Sequence, residues 1–156
     1  MRINLLHLQA GRNWGGQELR IIEQSEWLLQ HGHNVWVAAE ADAALLREAA
    51  KRQIPHFALA FNRHSLPVSI PKVLQLLKRE RLNLLDCHDK RSARLGWWLR
   101  QLSTARVIRS RHTIGPTRHT LSNRLFWRHG CDGVVVTAEC IRQQLVELGL
   151  AKAERV

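Results

Sequence analysis

The sequence predicts a single α/β domain, Rossmann-like and three-layered, built on a doubly wound parallel sheet. Short apolar runs of strand length alternate with helical patterns along the whole chain. Residues 35–39 and 134–136 form continuous apolar runs, as strands covered on both faces do. A length of 156 residues allows one domain with a full core and is too short for two ordinary ones. We therefore treat residues 1–156 as one unit.

The first half of the chain predicts three strands, each followed by a helix. We expect strands at residues 3–8, 35–39 and 56–59. The first helix begins at Gly16 or Gln17 and ends before Gly32, a residue suited to helix termination. The second helix covers residues 43–51. Residues 62–67 resemble an exposed loop, and Pro71 is placed as the first residue of the third helix.

The second half repeats the alternation. Strands are expected at residues 84–87, 106–109 and 134–136, and helices after Asp89, at 121–127 and at 138–148. The helix after Asp89 carries Leu95, Trp98, Leu99 and Leu102 on its apolar side. Residues 110–120 contain a Gly-Pro breaker, so we predict a loop there.

Composition excludes several classes of protein. No apolar run reaches the roughly 18 residues that a membrane span needs, and no signal-peptide pattern precedes the first strand. We therefore expect a cytoplasmic protein. Three cysteines without C-x-x-C spacing argue against a disulfide framework and a zinc site.

Positive charge is concentrated in one part of the chain. The sequence has 24 Lys and Arg against 13 Asp and Glu, and residues 90–131 hold ten basic residues and no acidic one. Such a segment repels itself unless an anion or an anionic surface lies beside it. The alternative is a solvated basic face that aids solubility.

Gly15 and Gly16 lie between the first strand and the first helix. Two adjacent glycines let a ligand approach the backbone, and the helix N-terminus directs unpaired N–H groups into the gap. Such a gap suits a phosphate. The alternative is a tight turn that binds nothing.

Other polar clusters follow later strands. His88, Asp89, Lys90 and Arg91 follow the fourth strand, residues 110–113 follow the fifth, and Thr137 and Glu139 follow the sixth. Parallel strands present their carboxyl ends at one edge, so these clusters are expected to face the same cleft as the two glycines.

Glu40 follows the second strand, where a dinucleotide-binding domain places an acid that holds a ribose hydroxyl. The glycines are spaced G-x-x-x-G-G, however, and not G-x-G-x-x-G. A cofactor-binding dehydrogenase is therefore disfavoured, and no cofactor or metal is expected.

Five motifs occur in order along the chain: NWGGQE, LLQHGHNVWVAA, CHDKRSARLG, VIRSRHTIGP and CDGVVVTAECIRQQLVELGL. Together they resemble the N-terminal, acceptor-binding domain of GT-B glycosyltransferases of family 4. The resemblance implies a retaining transfer of a sugar from a nucleotide-sugar donor to an acceptor hydroxyl, between two Rossmann-like domains. It also implies a lipid-linked or lipopolysaccharide acceptor at the inner face of a membrane.

The resemblance assigns roles to several residues. Gly15 and Gly16 are similar to the loop that approaches the donor diphosphate, and His112 to a histidine beside the transferred sugar. An imidazole there could bind a hydroxyl or handle a proton, and the alternative is a loop histidine tied to the backbone. The anionic acceptor is assigned to His88, Asp89, Lys90, Arg91, Arg94, Arg109 and Arg111. For Lys90, Arg91 and Arg94 the alternative is a solvated helix face.

The sequence departs from the family pattern in two respects. Asp86 stands where family members often have histidine, and the sequence stops at Val156, where a C-terminal donor-binding domain is expected. The chain is then a fragment or a half that needs a partner, inactive alone.

Tryptophans at positions 97, 98 and 127 could seat in an anionic membrane surface, although core positions are the commoner use. Two rivals remain: a basic nucleic-acid-binding module, for which no motif is found, and a non-catalytic interaction domain.

Overall fold

The computed structural model describes residues 2–112 and 121–156, within which six strands alternate with six α-helices. The strands are β1 (Asn4–Gln9), β2 (Asn34–Ala39), β3 (His56–Ala58), β4 (Leu84–Cys87), β5 (Arg106–Arg111) and β6 (Gly133–Val136). The helices are α1 (Gly16–Gln30), α2 (Ala44–Lys51), α3 (Leu66–Glu80), α4 (Lys90–Leu102), α5 (Leu121–His129) and α6 (Glu139–Glu147). A short 3-10 turn, Ala153–Arg155, follows.

All six strands pair in parallel, in the order β3-β2-β1-β4-β5-β6. This order confirms the predicted doubly wound sheet. The direction of winding reverses between β1 and β4, and a crevice forms outside the carboxyl ends of the strands at such a point. The ends of β1, β4, β5 and β6 therefore position the site.

Helices cover both faces of the sheet. On one face α1 and α2 pack on β2 through Ile21, Ile22, Val37, Ala39 and Leu45, all fully buried. On the other face α3 and α4 enclose the larger core, which includes Leu6, Leu8, Val73, Leu95 and Val107. Because alternate side chains of a strand point to opposite faces, each polar residue near a strand end is assigned to one of these two layers.

α4 lies unusually close to the sheet. A Cβ atom added at Gly96 would sit 2.5 Å from Cys87 Sγ and 3.3 Å from Val107 Cγ1. The buried stripe of α4 accordingly includes small residues beside Leu95 and Leu99. The prediction that Trp98 and Leu102 share this apolar side was wrong, because they remain 40% and 55% exposed.

The third helix begins earlier than the sequence predicted. α3 starts at Leu66, with Pro67 in its first turn and Pro71 inside the helix. The N–H groups of a first turn have no helix partner, so Pro67 fits there at no cost in hydrogen bonds. Pro71 lies on the exposed face, where water can reach the carbonyl that it leaves without a donor. Residues 62–67 are thus only partly loop.

The predicted loop at residues 110–120 is described only to His112, and its Gly-Pro breaker lies outside the described residues. The helix predicted at residue 121 is present as α5. The described part of the chain has no helix long and apolar enough to cross a bilayer.

Candidate functional site

A cleft of about 810 Å³ opens at the carboxyl ends of β1, β4, β5 and β6. The loop after β1 and the first turns of α1 form one wall, and the start of α4 forms the opposite wall. Its lining includes Gly15, Gly16, Asp89, Lys90, Arg91 and His112, together with Thr137 from beyond β6. The predicted convergence of these residues on one cleft is confirmed. Glu139 is not in the lining, and its carboxylate pairs instead with Arg142 at 3.0 Å.

The two glycines form the first turn of the α1 wall. Gly15 is the N-cap residue of α1 and supplies no capping side chain, so the helix terminus is left open toward the cleft. A Cβ atom added at Gly16 would meet nothing within 4 Å. The space over Gly16 is therefore available to a ligand, and the first-turn N–H groups have no carbonyl partner within the helix.

Glu18 is a site residue that sequence reasoning missed. It lies in the first turn of α1, is buried, and accepts a hydrogen bond from Gln9 Nε2. Its Oε2 would be 3.4 Å from a Cβ atom at Gly15. A carboxylate here lowers the positive potential of the helix terminus, so the anion site is weaker than two glycines alone imply. Glutamate three residues after Gly15 was the available signal, since acids favour the first turn of a helix.

Arg20 was also missed, although it restores positive charge to the cleft. Its side chain is half-buried and lines the cleft, with Nη1 3.4 Å from His112 Nδ1. Arg20 lies on α1 and does not directly follow a strand, so the strand-end rule does not predict its place in the cleft.

His112 connects the cleft to a buried polar cluster. Its ring is half-buried, and Nε2 lies 3.1 Å from His88 Nδ1. Burial and the nearby Arg20 guanidinium lower the pKa of His112 below its usual value of 6.5. The imidazole is therefore neutral at neutral pH and retains one lone pair.

His88 lies behind His112 and not in the cleft lining, which corrects its predicted contact with acceptor. His88 Nε2 is 2.9 Å from His7 Nδ1 and 3.4 Å from Asp86 Oδ2. Ser110 Oγ donates to both oxygens of Asp86, at 2.8 and 3.0 Å. We call His7, Asp86, His88 and Ser110 the buried cluster. Burial lowers the pKa of His88 to about 3, so this ring is neutral as well.

Burial alone would raise the pKa of Asp86, but the neighbouring His88 and His7 and the Ser110 hydroxyl outweigh it. The pKa of this carboxyl therefore lies below its usual value, and the group is an anion at neutral pH. Asp86 thus supplies the fixed charge of the buried cluster.

His7, Asp86 and His88 also present three donor atoms within 4.8 Å of one another, a spacing that raises the question of a metal. Two nitrogens bound to one tetrahedral zinc at 2.0–2.1 Å lie about 3.3 Å apart. The His7 to His88 separation of 2.9 Å is shorter and has the length of an ordinary hydrogen bond. The distance between the two histidine nitrogens therefore fits a hydrogen bond between the rings better than a zinc ion bound by both.

Arg109 and Arg111 do not face the cleft, which corrects their assignment to acceptor. Along β5 they alternate with Ser110, so they point to the opposite side of the sheet. The Arg109 guanidinium carbon is buried 3.6 Å from the centre of the Trp127 ring. Arg111 lies 5.9 Å from that ring, and its Nη2 is 3.3 Å from Gln144 Oε1. The pair packs on the α5–α6 side of the core.

The start of α4 combines structural and exposed groups. Asp89 accepts from the backbone N–H of Ala10 at 2.7 Å and of Arg91 at 2.7 Å, and it closes a capping box with Ser92. Its carboxylate therefore fastens α4 to the end of β1. Arg91 donates to the Ala10 carbonyl as well. Lys90 is exposed in the lining, whereas Arg94 is half-buried and outside it.

Glu40 is structural. Its Oε1 accepts the Phe61 backbone N–H at 3.2 Å, and the residue is not in the lining of the cleft. The acid after β2 therefore fixes the segment that follows β3 and does not hold a ribose at this site.

The comparisons with known proteins agree with this fold. The family model for Glycosyltransferase Family 4 matches residues 14–156, and no curated protein matches. A glycosyltransferase from Rickettsia africae ESF-5 superposes with a TM-score of 0.81 at 16% identity, over 99% of this chain and 41% of its own. Anabaena Alr3699/HepE in complex with UDP and glucose superposes with a TM-score of 0.74 at 16% identity, and the match covers 99% of this chain and 43% of the Anabaena chain. The sucrose-phosphate synthase of Thermosynechococcus elongatus superposes with a TM-score of 0.66 at 14% identity, and the match covers 94% of this chain and 45% of the synthase chain.

The chain thus spans less than half the length of these structures. The resemblance drawn from its five motifs to the N-terminal domain of the GT-B fold is confirmed by the sheet order and by a family model that covers nearly the whole chain. The chain belongs to glycosyltransferase family 4.

Proposed function

We propose that this chain is the acceptor-binding half of a retaining glycosyltransferase, which transfers a sugar from a nucleotide-sugar donor to an anionic acceptor. The observation that carries the proposal is the single cleft that joins Gly16, His112 and Lys90. The nucleotide sugar is a substrate, and the reaction uses no separate cofactor. A C-terminal domain supplies the nucleotide pocket, and the chain is inactive without it.

The donor side of the cleft is supported by the open terminus of α1. A diphosphate at Gly15 and Gly16 would accept hydrogen bonds from first-turn N–H groups, with Arg20 close by. The Anabaena relative was solved with UDP and glucose, which is the class of ligand proposed here.

The glycine assignment is tested by Gly16→Val and Gly16→Ala in the protein that carries its second domain. A Cβ atom at Gly16 enters open space, so neither variant should lose stability. A branched side chain should weaken nucleotide-sugar binding by tenfold or more, on the order of 1.4 kcal/mol, and alanine should weaken it less. Unchanged donor affinity in folded Gly16→Val protein would reject a diphosphate at this turn.

His112 is proposed to contact the transferred sugar or the attacking hydroxyl. His112→Ala should lower turnover on the order of 100-fold, the lower end of what a positioned proton acceptor contributes. Its half-buried ring predicts a small change in stability. His64, an exposed loop residue, is the matched control as His64→Ala. Equal turnover in both variants would return His112 to a structural role.

The acceptor side is supported by Lys90, which is exposed in the first turn of α4. Lys90→Gln should raise KM for a phosphorylated or carboxylated acceptor several-fold and leave a neutral acceptor unaffected. Lys72→Gln, which removes an exposed charge on α3 outside the lining, is the control. Equal effects of the two substitutions would show that only net charge matters.

We further propose a lipid-linked or lipopolysaccharide acceptor and peripheral attachment at the cytoplasmic face of a membrane. Trp98 and Leu102 are exposed on α4, and the Trp97 ring packs edge-on against Trp98 at 4.6 Å. Trp127, in contrast, is a core residue. Trp98→Gln should reduce cosedimentation with phosphatidylglycerol vesicles, whereas Trp27→Gln, at a more exposed tryptophan on α1, should not. Equal binding of both variants to vesicles would remove α4 from the membrane surface.

A nucleic-acid-binding role is less well supported. Part of the basic segment is engaged within the protein, since Arg100 forms a two-pronged pair with Asp132 at 2.9–3.2 Å and Arg109 covers Trp127. Steep, salt-dependent RNA or DNA binding without vesicle binding would favour that role over ours.

A further inference from the structure

We propose that His88 is a positioning residue for His112: it accepts a hydrogen bond from His112 Nε2–H and thereby presents the unprotonated Nδ1 of His112 to the cleft. The identity of the hydroxyl group that binds to Nδ1 rests on the proposed function. The position of the proton on the His112 ring does not, because it follows from contacts within the chain.

Arg20 sets the direction of the chain of hydrogen bonds. A guanidinium only donates, so a contact between Arg20 Nη1 and His112 Nδ1 requires a lone pair on Nδ1. A neutral ring then carries its proton on Nε2, and this atom lies 3.1 Å from His88 Nδ1. His112 therefore donates and His88 accepts.

The same logic continues into the buried cluster. Neutral His88, accepting at Nδ1, carries its proton on Nε2 and directs it toward His7 Nδ1 at 2.9 Å and Asp86 Oδ2 at 3.4 Å. Asp86 is held in turn by the Ser110 hydroxyl. The carboxylate thus favours the proton on Nε2 of His88, which keeps Nδ1 free to accept from His112.

The opposite direction conflicts with Arg20. If His7 donated to His88, then His88 would donate to His112, and His112 would carry its proton on Nδ1. Two donors, Nδ1–H and the guanidinium, would then face each other at 3.4 Å in a half-buried site. Either direction leaves His7 Nε2 without a partner among the described residues, so that atom does not discriminate between them.

A chemical role for His112 follows from this tautomer. An incoming anion can attract Arg20 away from Nδ1, and a sugar hydroxyl can then donate its hydrogen bond to the exposed lone pair. His112 would orient this hydroxyl and accept its proton, and it could not act as a hydrogen-bond donor through Nδ1. The attacking oxygen then forms its bond to the sugar as the diphosphate leaves, with the proton held at Nδ1 or passed to the departing phosphate.

The first test is the protonation pattern of the rings, measured by long-range proton–nitrogen NMR on protein labelled with ¹⁵N-histidine. His88→Asn and His112→Asn provide the assignments. We expect both residues to show a protonated Nε2 and an unprotonated Nδ1 at pH 7.5. Protonation of Nδ1 in either ring would overturn the proposal, whether or not the protein transfers sugars.

The second test separates positioning from simple packing. His88→Leu removes the acceptor, whereas His88→Asn places a carbonyl oxygen near the position of Nδ1. In the protein with its second domain, Leu should lower kcat on the order of tenfold with unchanged donor affinity, and Asn should recover part of the loss. Equal kcat in the two variants, at matched folded fraction, would make His88 a packing residue.

A metal in the buried cluster is the remaining alternative. We expect purified protein to retain no zinc after dialysis against EDTA and to show an unchanged histidine NMR pattern. One equivalent of tightly held zinc that is lost in His88→Leu would overturn the hydrogen-bonded arrangement.

Discussion

Acidification from pH 7 to pH 5 should destabilise this protein chiefly through His88. This ring is buried, and its pKa falls from 6.5 to about 3 on folding. The folded state therefore binds fewer protons than the unfolded state between these values. The stability contributed by neutral His88 is fully present above pH 6.5 and is lost as the pH falls toward 3.

The size of the loss follows from the same shift. Each pH unit across which only the unfolded state takes up a proton costs 1.36 kcal/mol, so the step from pH 7 to pH 5 removes about 2 kcal/mol. In a chain of this length that corresponds to a drop in Tm of about 4–8 °C. Burial also lowers the pKa of His112, which adds a change of the same sign.

The Asp86 carboxyl group in the same cluster does not contribute in this window. Asp86 has a lowered pKa, so its stabilisation is present above pH 3.8 and is lost only as the pH falls below that value. Urea unfolding at pH 7, 6 and 5 measures the effect, with His88→Asn as the variant and His64→Asn, in an exposed loop, as the control. The reasoning fails if His88→Asn shows the same loss between pH 7 and pH 5 as the unmodified protein.

Substitutions at three further positions test contacts that hold the fold together. Gly96→Ala forces a Cβ atom to 2.5 Å from Cys87 Sγ and should lower the free energy of unfolding by about 1–3 kcal/mol. The higher helix propensity of alanine offsets up to about 1 kcal/mol of this loss. The double variant Gly96→Ala with Cys87→Ala removes the clash and should be more stable than Gly96→Ala alone. Asp132→Ala removes the partner of Arg100 and of the Val107 N–H, which lies 2.8 Å from the carboxylate. Urea unfolding should show a loss of about 1–3 kcal/mol. The control Asp42→Ala, which removes an exposed ion pair with Arg12, should change the free energy of unfolding by less than about 0.5 kcal/mol. Asp89→Ala should cost about 1–3 kcal/mol through the lost cap and the orphaned Ala10 N–H, and Asp89→Asn, which keeps an acceptor oxygen, should cost less. An Asp89→Asn loss equal to that of alanine would contradict the capping account.

Much of the fold could be predicted because its signals are local. Unbroken apolar runs mark strands that are buried on both faces, and Gly32, with φ of 78°, ends α1 where expected. The start of α3 was misjudged because both Pro67 and Pro71 are compatible with a first helical turn in sequence terms. The structure shows that the helix begins at Leu66, because the Ser65 carbonyl already accepts the backbone N–H groups of Val68 and Ser69.

The sequence predicted which residues lie near the carboxyl ends of the strands. The structure corrected this set by showing to which face of the sheet each side chain points. Rules for parallel sheets place Gly16, Lys90 and His112 at one edge, and the structure has them in one cleft. Those rules do not say which face a side chain takes, so Arg109 and Arg111 were assigned to acceptor although they point to the opposite layer. Glu18 and Arg20 were missed because they lie further from the end of β1 than the two glycines, although an acid in the first turn of a helix is itself a sequence signal.

The sequence by itself determined the alternation of strands and helices, the family and the edge of the sheet at which chemistry is expected, since each depends on periodicity and on residue types near strand ends. Only the tertiary structure decided which polar groups touch. His7, Asp86 and His88 are separated by up to 81 residues, yet their ring and carboxylate atoms lie 2.9–3.6 Å apart. Contacts of this kind depend on how β1, β4 and β5 pair and on which face each residue takes, and a small error in register would separate them.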